Sequence, residues 1–268
     1  MKNPLLKAFA EKAVQILSTD ENVLGLAAGG SWITGETDEF SDIDLVLVTR
    51  DRIAPELAAM RSMAGRLGTV LSSFTGDHVG EPRLLIVLYD DPLLHVDIKF
   101  VTLAELAQRV ENPVILFERD EVLTRVLNTT DYRFPQPDFT WLEDRYWVWV
   151  HYGVGKIGRG EFLEALDFLS FLRGMVLGPL LHLKHGSLPR GVRKLEMILP
   201  ADDLARLHAT VARPERASLL DATRAAAALY DDLSGLLYPA TVTRRSAARE
   251  AAIRYLETIS HPESQRAG

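Results

Sequence analysis

Hydrophobic residues recur at helical spacing at the start of the chain and then in short continuous runs. A helix over residues 4–18 is predicted by apolar side chains at every fourth position: Leu5, Phe9, Ala13 and Leu17. Four apolar runs predict strands: "NVLGLAAGG" from Asn22, "IDLVLVT" from Ile43, "RLLIVLYD" from Arg83 and "LLHVDIKFVT" from Leu93. A further helix is predicted near residues 54–67. The first half is therefore predicted to be α+β, built around a small mixed sheet.

The pattern becomes helical after the proline-containing segment "YRFPQPDF". Thr140 and Glu143 are expected to form a capping box at the start of the first helix, which runs to about Gly158. A second, strongly apolar helix from Glu161 is expected to break at Gly178-Pro179. Shorter helices follow near 190–199, 201–211, 215–235 and 243–259, and the tail after His261 is expected to fray. We therefore predict a sheet domain over 1–137 and an all-helical bundle over 138–268.

Composition and charge narrow the function classes. The 268-residue chain has a net charge of −7 and no cysteine, which excludes disulfides, a thiolate nucleophile and Cys-ligated zinc. Residues 1–137 hold 13 Lys and Arg against 21 Asp and Glu, whereas residues 138–268 hold 17 against 16. An acidic first half argues against long nucleic acid as a partner and suits divalent cations or a cationic substrate.

The N-terminal segment predicts an amphipathic helix rather than a signal peptide, because Glu11 and Lys12 interrupt its apolar residues. Apolar runs long enough to span a bilayer are not expected. We expect a cytoplasmic protein without a membrane partner, and both a monomer and a homodimer stay open.

Two aspartates open the strand "IDLVLVT". Because side chains alternate along a strand, Asp42 and Asp44 are expected to point to the same side, and Ile43 to the core. Carboxylates about 7 Å apart along one strand edge repel each other unless a cation lies between them. Asp97, in "HVDIKF", can complete a site for one or two hard divalent ions if its strand lies beside the first.

A glycine-rich turn precedes these aspartates. Gly29 and Gly30 allow backbone N–H groups to approach a phosphate closely, and Ser31 adds a hydroxyl donor. A phosphate cradle facing a metal cluster is the equipment of phosphoryl or nucleotidyl transfer.

With these residues the sequence resembles the DNA polymerase β-type nucleotidyltransferase superfamily. The signature of that superfamily is Gly-Ser, a spacer of about ten residues, Asp-hydrophobic-Asp and a third carboxylate on a later strand. In this chain it reads "GGS…SDIDLVLV…HVDIKF". The helical second half resembles the aminoglycoside nucleotidyltransferases of the streptomycin 6-adenylyltransferase type. That second likeness rests on "YWVWVHYGVGKIGRGE", on the "LP" before the helix at 199–211, and on "AAIRYLETI".

The resemblance implies a role for each residue. Asp42 and Asp44 would hold Mg²⁺, two ions in all, against the phosphates of ATP, and Asp97 would be the third ligand or the base. Ser31, in the turn with Gly30, would bind the β- and γ-phosphates while an acceptor hydroxyl attacks the α-phosphorus. The implied acceptor is a small molecule such as an aminoglycoside antibiotic, which makes antibiotic resistance the implied role.

A stripe on the first helix of the second half offers further nucleotide contacts. Arg145, Trp149, Tyr152, Lys156 and Arg159 share one helical face. Three cations and two aromatic rings suit a triphosphate with a stacked base, and Lys156 matches a phosphate-binding lysine of the similar family. A solvated face with Trp149 packed inward is the alternative.

Several alternatives stay open at this point. The acceptor can be a protein or RNA, and the chain can be a non-catalytic nucleotide-binding regulator. The general base is not identified, and Glu143 is a weak candidate because its predicted capping position gives it a structural role. A structural role is also favoured for His95.

Overall fold

A single mixed β-sheet organises the first half of the chain. The computed structural model describes residues 3–261. The chain divides into two compact units between Phe134 and Pro135. The predicted boundary, after residue 137, lies three residues further along. The first unit is α+β and the second is all-helical, which confirms the predicted fold class.

Six strands form the sheet within the described residues. They are β1 (Val23–Ala28), β2 (Ile43–Thr49), β3 (Thr69–Gly76), β4 (Glu81–Asp90), β5 (Leu94–Val101) and β6 (Val114–Glu118). Their order is β3-β4-β5-β2-β1-β6. β2 and β5 run parallel, and the other neighbouring strands are antiparallel. The pattern analysis found the four inner strands and missed β3 and β6, which form the two edges and keep partly exposed side chains.

Five α-helices accompany the sheet in the part of the chain that the structure describes. They are α1 (Pro4–Leu17), α2 (Ser31–Thr34), α3 (Leu57–Gly65), α4 (Leu103–Leu106) and α5 (Val122–Thr129). α1 begins where predicted, because the Asn3 side chain accepts hydrogen bonds from the backbone N–H groups of Leu5 and Leu6. α3 is shorter at both ends than the predicted 54–67.

The two faces of the sheet have separate cores. One core joins α1 and α3 to the side chains of β2 that include Ile43, Leu45 and Leu47. The other face packs on α4 and α5 through Val48 and Val101, which lie towards the ends of β2 and β5. Side chains on a strand alternate, so residues four positions earlier on these strands belong to the same face as Val48 and Val101. This places Asp44 and Asp97 beyond the edge of the second core.

Helices make up the second unit in the described residues. They are α6 (Phe139–Arg159), α7 (Phe162–Leu172), α8 (Gly178–Lys184), α9 (Leu195–Ile198), α10 (Ala201–His208), α11 (Arg216–Leu237) and α12 (Ser246–Ser260). The predicted break at Gly178-Pro179 is wrong. A wide π-helical turn at Arg173–Leu177 joins α7 directly to α8, where Pro179 lies in the first turn and needs no N–H partner. The tail that was expected to fray, residues 262–268, lies outside the described residues.

The start of α6 differs from the prediction. Asp138, not Thr140, is the cap, and its side chain accepts the Trp141 N–H at 3.0 Å. Glu143 is buried and accepts hydrogen bonds from the Tyr230 hydroxyl at 2.7 Å and the Arg245 N–H at 2.8 Å. The pattern placed the helix start two residues late because Asp138 was taken as part of the linker. Glu143 therefore connects α6 to α11 and to the segment before α12.

One helical stretch, Phe162–Lys184, is long and apolar enough to cross a bilayer by length and composition. More than half of its most apolar window, 56%, is buried inside the protein. Its buried leucines, such as Leu169 and Leu180, pack in the same cluster as Val150 of α6 and Leu229 of α11. In the described structure this stretch is a core helix of the second unit.

Close packing of α6 on α7 predicts opposite effects at two glycines of one helix. A Cβ at Gly153 would lie 2.2 Å from the Phe168 ring, whereas one at Gly155 would meet only the Tyr255 hydroxyl at 3.7 Å. We expect Gly153→Ala to lower the free energy of unfolding by about 1–3 kcal/mol, because the buried ring must move. Gly155→Ala should raise it by about 0.5–1 kcal/mol through helix propensity. Urea denaturation of both variants measures this, and equal shifts of the same sign would contradict the packing.

Candidate active site

Two aspartates lie side by side where β2 and β5 pair. In this parallel pair Asp44 is the register partner of Asp97, and Ile43 is that of Val96. Register partners on neighbouring strands are about 4.8 Å apart and point to the same face. Both aspartates are half-buried. The sequence analysis placed Asp97 beside Asp44 only on the condition that the two strands pair. In the structure these strands do pair.

Asp42 belongs to the same environment. It immediately precedes β2 and is half-buried. Burial raises the pKa of Asp97 and the negative charge of Asp42 adds to this rise, while the charge of His95 and its hydrogen bond oppose it. Asp42 is therefore close enough to Asp97 for its charge to affect the pKa of Asp97, as expected for carboxylates at one strand edge.

Two neighbours on β5 share the face of Asp97. His95 Nε2 lies 3.0 Å from Asp97 Oδ1, so the imidazole has a specific polar partner. Lys99 Nζ lies 2.7 Å from a Glu81 oxygen, and Arg83 binds both Glu81 oxygens at 2.7 Å. Burial alone would raise the pKa of Glu81, but the hydrogen bonds from Arg83 and Lys99 lower it to about 2. The charge of Lys99 is thus already compensated within the sheet.

The glycine turn is fitted closely against Asp44. Gly29 N–H donates to the Asp44 carbonyl at 2.8 Å, which extends the pairing of β1 and β2. Gly30 has a φ of +57°, and a Cβ there would lie 1.9 Å from Asp44 Oδ2. Ser31 is the half-buried first residue of α2. Only glycine at position 30 therefore lets the turn and the aspartate carboxylate occupy this space.

Sequence reasoning missed one carboxylate at this turn. Glu111 Oε1 accepts the Gly30 N–H at 3.0 Å, across 81 positions of sequence. Its loop leads into β6, whose residue Val114 pairs with Ala28 at the end of β1. A pattern of apolar positions does not reveal this contact, because it depends on an edge strand that the pattern itself does not predict. Glu111 therefore accepts a hydrogen bond from the Gly30 N–H, a group that the sequence analysis expected to bind phosphate.

The donor chemistry of the site suits a hard divalent cation, since Asp42, Asp44 and Asp97 are all carboxylates. The fit of Gly30 keeps the space beside Asp44 Oδ2 clear of a side chain. Among residues 3–261, however, no group of three or more Asp, Glu or His side chains lies close enough together to form a metal site without rearrangement. The convergence of the three carboxylates on shared ions stays a prediction.

The cations of the α6 stripe have partners within their own unit. Lys156 Nζ lies 2.7 Å from Glu161 and 2.9 Å from Glu164. Arg159 lies 3.7 Å from Glu161. Hydrogen bonds to Glu161 and Glu164 raise the pKa of Lys156, which therefore stays charged at neutral pH. The pair of Arg159, whose side chain is 70% exposed, contributes little to stability.

The aromatic residues of the stripe also have neighbours on α6 and α7. Tyr152 is exposed and its hydroxyl donates to Glu164. Trp149 packs edge-on against Trp141 and Phe171, with ring centroids 5.3 and 5.0 Å apart. Arg145 lies over the Trp141 ring at 4.4 Å. The aromatic side chains form a partly exposed cluster, and their role towards a nucleotide stays a prediction.

Comparison with known proteins gives distant structural similarities. No protein-family model matches the sequence, and no curated protein is significantly similar to it. An aminoglycoside 6-adenyltransferase from Bacillus subtilis is similar over 95% of this chain and 98% of its own, with 16% identity and a TM-score of 0.42. A nucleotidyltransferase-like protein from Exiguobacterium sibiricum 255-15 is similar over 83% of this chain and 74% of its own, with 15% identity and a TM-score of 0.41. Likeness at this level says nothing about activity.

The fit of Gly30 can be tested against Gly35, which ends the same short helix. Both have positive φ, but a Cβ at Gly35 would meet nothing within 4 Å. We expect Gly35→Ala to cost about 1 kcal/mol of unfolding free energy through backbone strain. Gly30→Ala should cost about 1–2 kcal/mol more, because its backbone is further from alanine's preferred regions and Asp44 must move. Urea denaturation compares them, and equal losses would contradict the tight fit.

The compensated charge of Glu81 predicts an acid-dependent stability. The pKa of Glu81 falls on folding from its ordinary value of 4.5 to about 2. Its contribution is therefore complete above pH 4.5 and is lost as the pH falls towards 2. The difference in unfolding free energy between the wild type and Glu81→Gln should shrink over this window. Urea denaturation at several pH values measures it, and a pH-independent difference would refute the assignment.

Proposed function

We propose that this chain is a nucleotidyltransferase that moves a nucleoside monophosphate from a nucleoside triphosphate to a hydroxyl group. The proposed transferred group is AMP from Mg-ATP, and the proposed acceptor is a small molecule such as an aminoglycoside. The observation that carries the proposal is the parallel register of Asp44 with Asp97, beside a glycine turn fitted to Asp44. Paired carboxylates next to a turn with little side chain suit metal-assisted transfer at phosphorus.

In this proposal Asp42, Asp44 and Asp97 hold Mg²⁺, with two ions in the complete site. When bound, the metal neutralises charge on the phosphates and on the leaving pyrophosphate. Carboxylates this close repel one another without a cation, and the negative charge of Asp42 adds to the rise that burial causes in the pKa of Asp97. Relief of that repulsion favours cation binding at this strand edge.

In this proposal the α6 stripe offers cations and aromatic rings to the nucleotide. Lys156 and Arg159 would exchange Glu161 and Glu164 for phosphate oxygens; the Arg159 side chain is 70% exposed and that of Lys156 is 15% exposed. Trp149 and Tyr152 are the proposed stacking residues for the base. Gly30 and Ser31 are the proposed contacts of the turn with phosphate.

The proposed reaction forms one bond and breaks one. The acceptor hydroxyl oxygen attacks the α-phosphorus, and the bond from that phosphorus to the bridging oxygen breaks to release pyrophosphate. The hydroxyl proton passes to a carboxylate or to water. Asp97, whose pKa burial raises, is suited to accept it if it is not fully engaged as a ligand. Most of the rate enhancement comes from positioning and charge neutralisation.

Two other functions share part of this evidence. In one, the acceptor hydroxyl belongs to a protein or an RNA, of which the acidic first half disfavours RNA. A nucleotide-binding regulator would bind Mg-ATP without turnover. Pyrophosphate release from ATP, measured with a panel of acceptors, separates these three functions. Release that depends on a small hydroxyl compound supports the proposal. Tight binding of Mg-ATP without release on any acceptor supports the regulator.

Asp44→Asn tests the centre of the proposal. The isosteric change removes one charge where the triphosphate and metal would meet, so pyrophosphate release should fall by about 10³-fold. Thermal stability of the apoprotein should stay constant or rise, because repulsion with Asp97 is relieved. Asp51→Asn, an exposed position beyond the other end of β2, is the matched control and should keep wild-type activity. Wild-type release by Asp44→Asn would refute the proposed role.

A further inference from the structure

The carboxylate of Glu111 occupies a position at the glycine turn that an anionic ligand would also use. Glu111 Oε1 accepts the Gly30 N–H at 3.0 Å, and it would lie 3.2 Å from a Cβ on Gly29. Asp44 Oδ2 also approaches the place of a Gly30 Cβ. Two carboxylates therefore lie against the turn, one from β2 and one from the loop before β6.

The loop that carries Glu111 is anchored on both sides of it. The buried Arg109 guanidinium donates to Asn112 Oδ1 at 2.5 Å and to the Thr130 carbonyl at 2.6 Å. It also donates to the Leu127 carbonyl at 3.1 Å. These bonds join the loop to the end of α5 through the side chains one residue after Glu111 and two before it. Glu111 is therefore delivered to the turn by an anchored loop.

A phosphate oxygen and a carboxylate oxygen compete for the same backbone donor. Both accept charge-assisted hydrogen bonds from N–H groups, with similar lengths. Two anions placed on one N–H also repel each other strongly in a half-buried site. A triphosphate that uses the Gly30 N–H must therefore displace Glu111.

We propose that Glu111 is a binding-site residue that sets the affinity for the nucleoside triphosphate by competing with its phosphates for the Gly30 N–H. This inference rests on the proposed function, since it requires a phosphate at the turn. Without nucleotide, Glu111 keeps the turn in place against Asp44. With nucleotide, a phosphate oxygen takes the hydrogen bond and the carboxylate moves away. Glu111 lowers the affinity and leaves the chemical step unchanged.

Isothermal titration with Mg-ATP, in the absence of any acceptor, tests the competition. Glu111→Gln removes the charge and keeps the size, so the Kd should fall by about tenfold, the effect of losing one charge-assisted competitor. Glu111→Asp keeps the charge but shortens the reach by one methylene, and its Kd should lie between those of Gln and the wild type. Glu21→Gln, an exposed change of the same charge in the same unit, should leave the Kd unchanged.

Magnesium tripolyphosphate provides a second probe that lacks the base and ribose, and Glu111→Gln should tighten its binding by the same factor. In steady-state assays with an acceptor, Glu111→Gln should lower KM for ATP and leave kcat unchanged. An unchanged or raised Kd in Glu111→Gln would overturn the inference, and a reduced kcat would show that Glu111 supports the chemical step instead. If neither the wild type nor any variant binds Mg-ATP, the proposed function fails and this inference fails with it.

Discussion

The parallel pairing of β2 with β5 is the constraint on which the rest of the first unit depends. It sets Asp44 directly beside Asp97, and it does so because Ile43, Leu45 and Leu47 are buried on the opposite face. A shift of one residue in this register would turn those side chains out of the core and the aspartates into it. Hydrophobic burial therefore fixes the position of two carboxylates that would otherwise separate.

The cost of this arrangement is visible in the surroundings of the aspartates. Burial raises the pKa of Asp97, the charge of His95 and its hydrogen bond lower it, and the negative charge of Asp42 raises it further. Other charges on the same sheet are compensated locally, as in the group formed by Glu81, Arg83 and Lys99. Half-buried carboxylates on neighbouring strands are therefore the feature of this sheet that the proposed cation would stabilise.

The turn between β1 and α2 is coupled to this pair through backbone contacts. Gly29 continues the β1–β2 pairing, and Gly30 leaves room for Asp44. Glu111 joins the turn to the loop before β6. Three chain segments that are distant in sequence thus meet at the glycine turn.

The sequence predicted the parts of this site that depend on local pattern. Apolar runs located β2 and β5, and alternation along them placed Asp44 and Asp97 on one face. The pairing itself could only be assumed, because register depends on the packing of the whole sheet. Glu111 gave no signal, since its contact depends on the placement of β6 at the edge of the sheet, which local pattern does not determine. Local pattern also misplaced the cap of α6, where a linker aspartate proved a better acceptor than the threonine after it.

The most direct measurement of the central claim is a crystal structure with Mn²⁺ and a non-hydrolysable ATP analogue, with anomalous scattering recorded at the manganese edge. The account predicts anomalous density within ligand distance, about 2.2 Å, of oxygens from both Asp44 and Asp97, next to the phosphates of the analogue. Density bound to other residues, or an analogue whose phosphates lie away from these two aspartates, would contradict it.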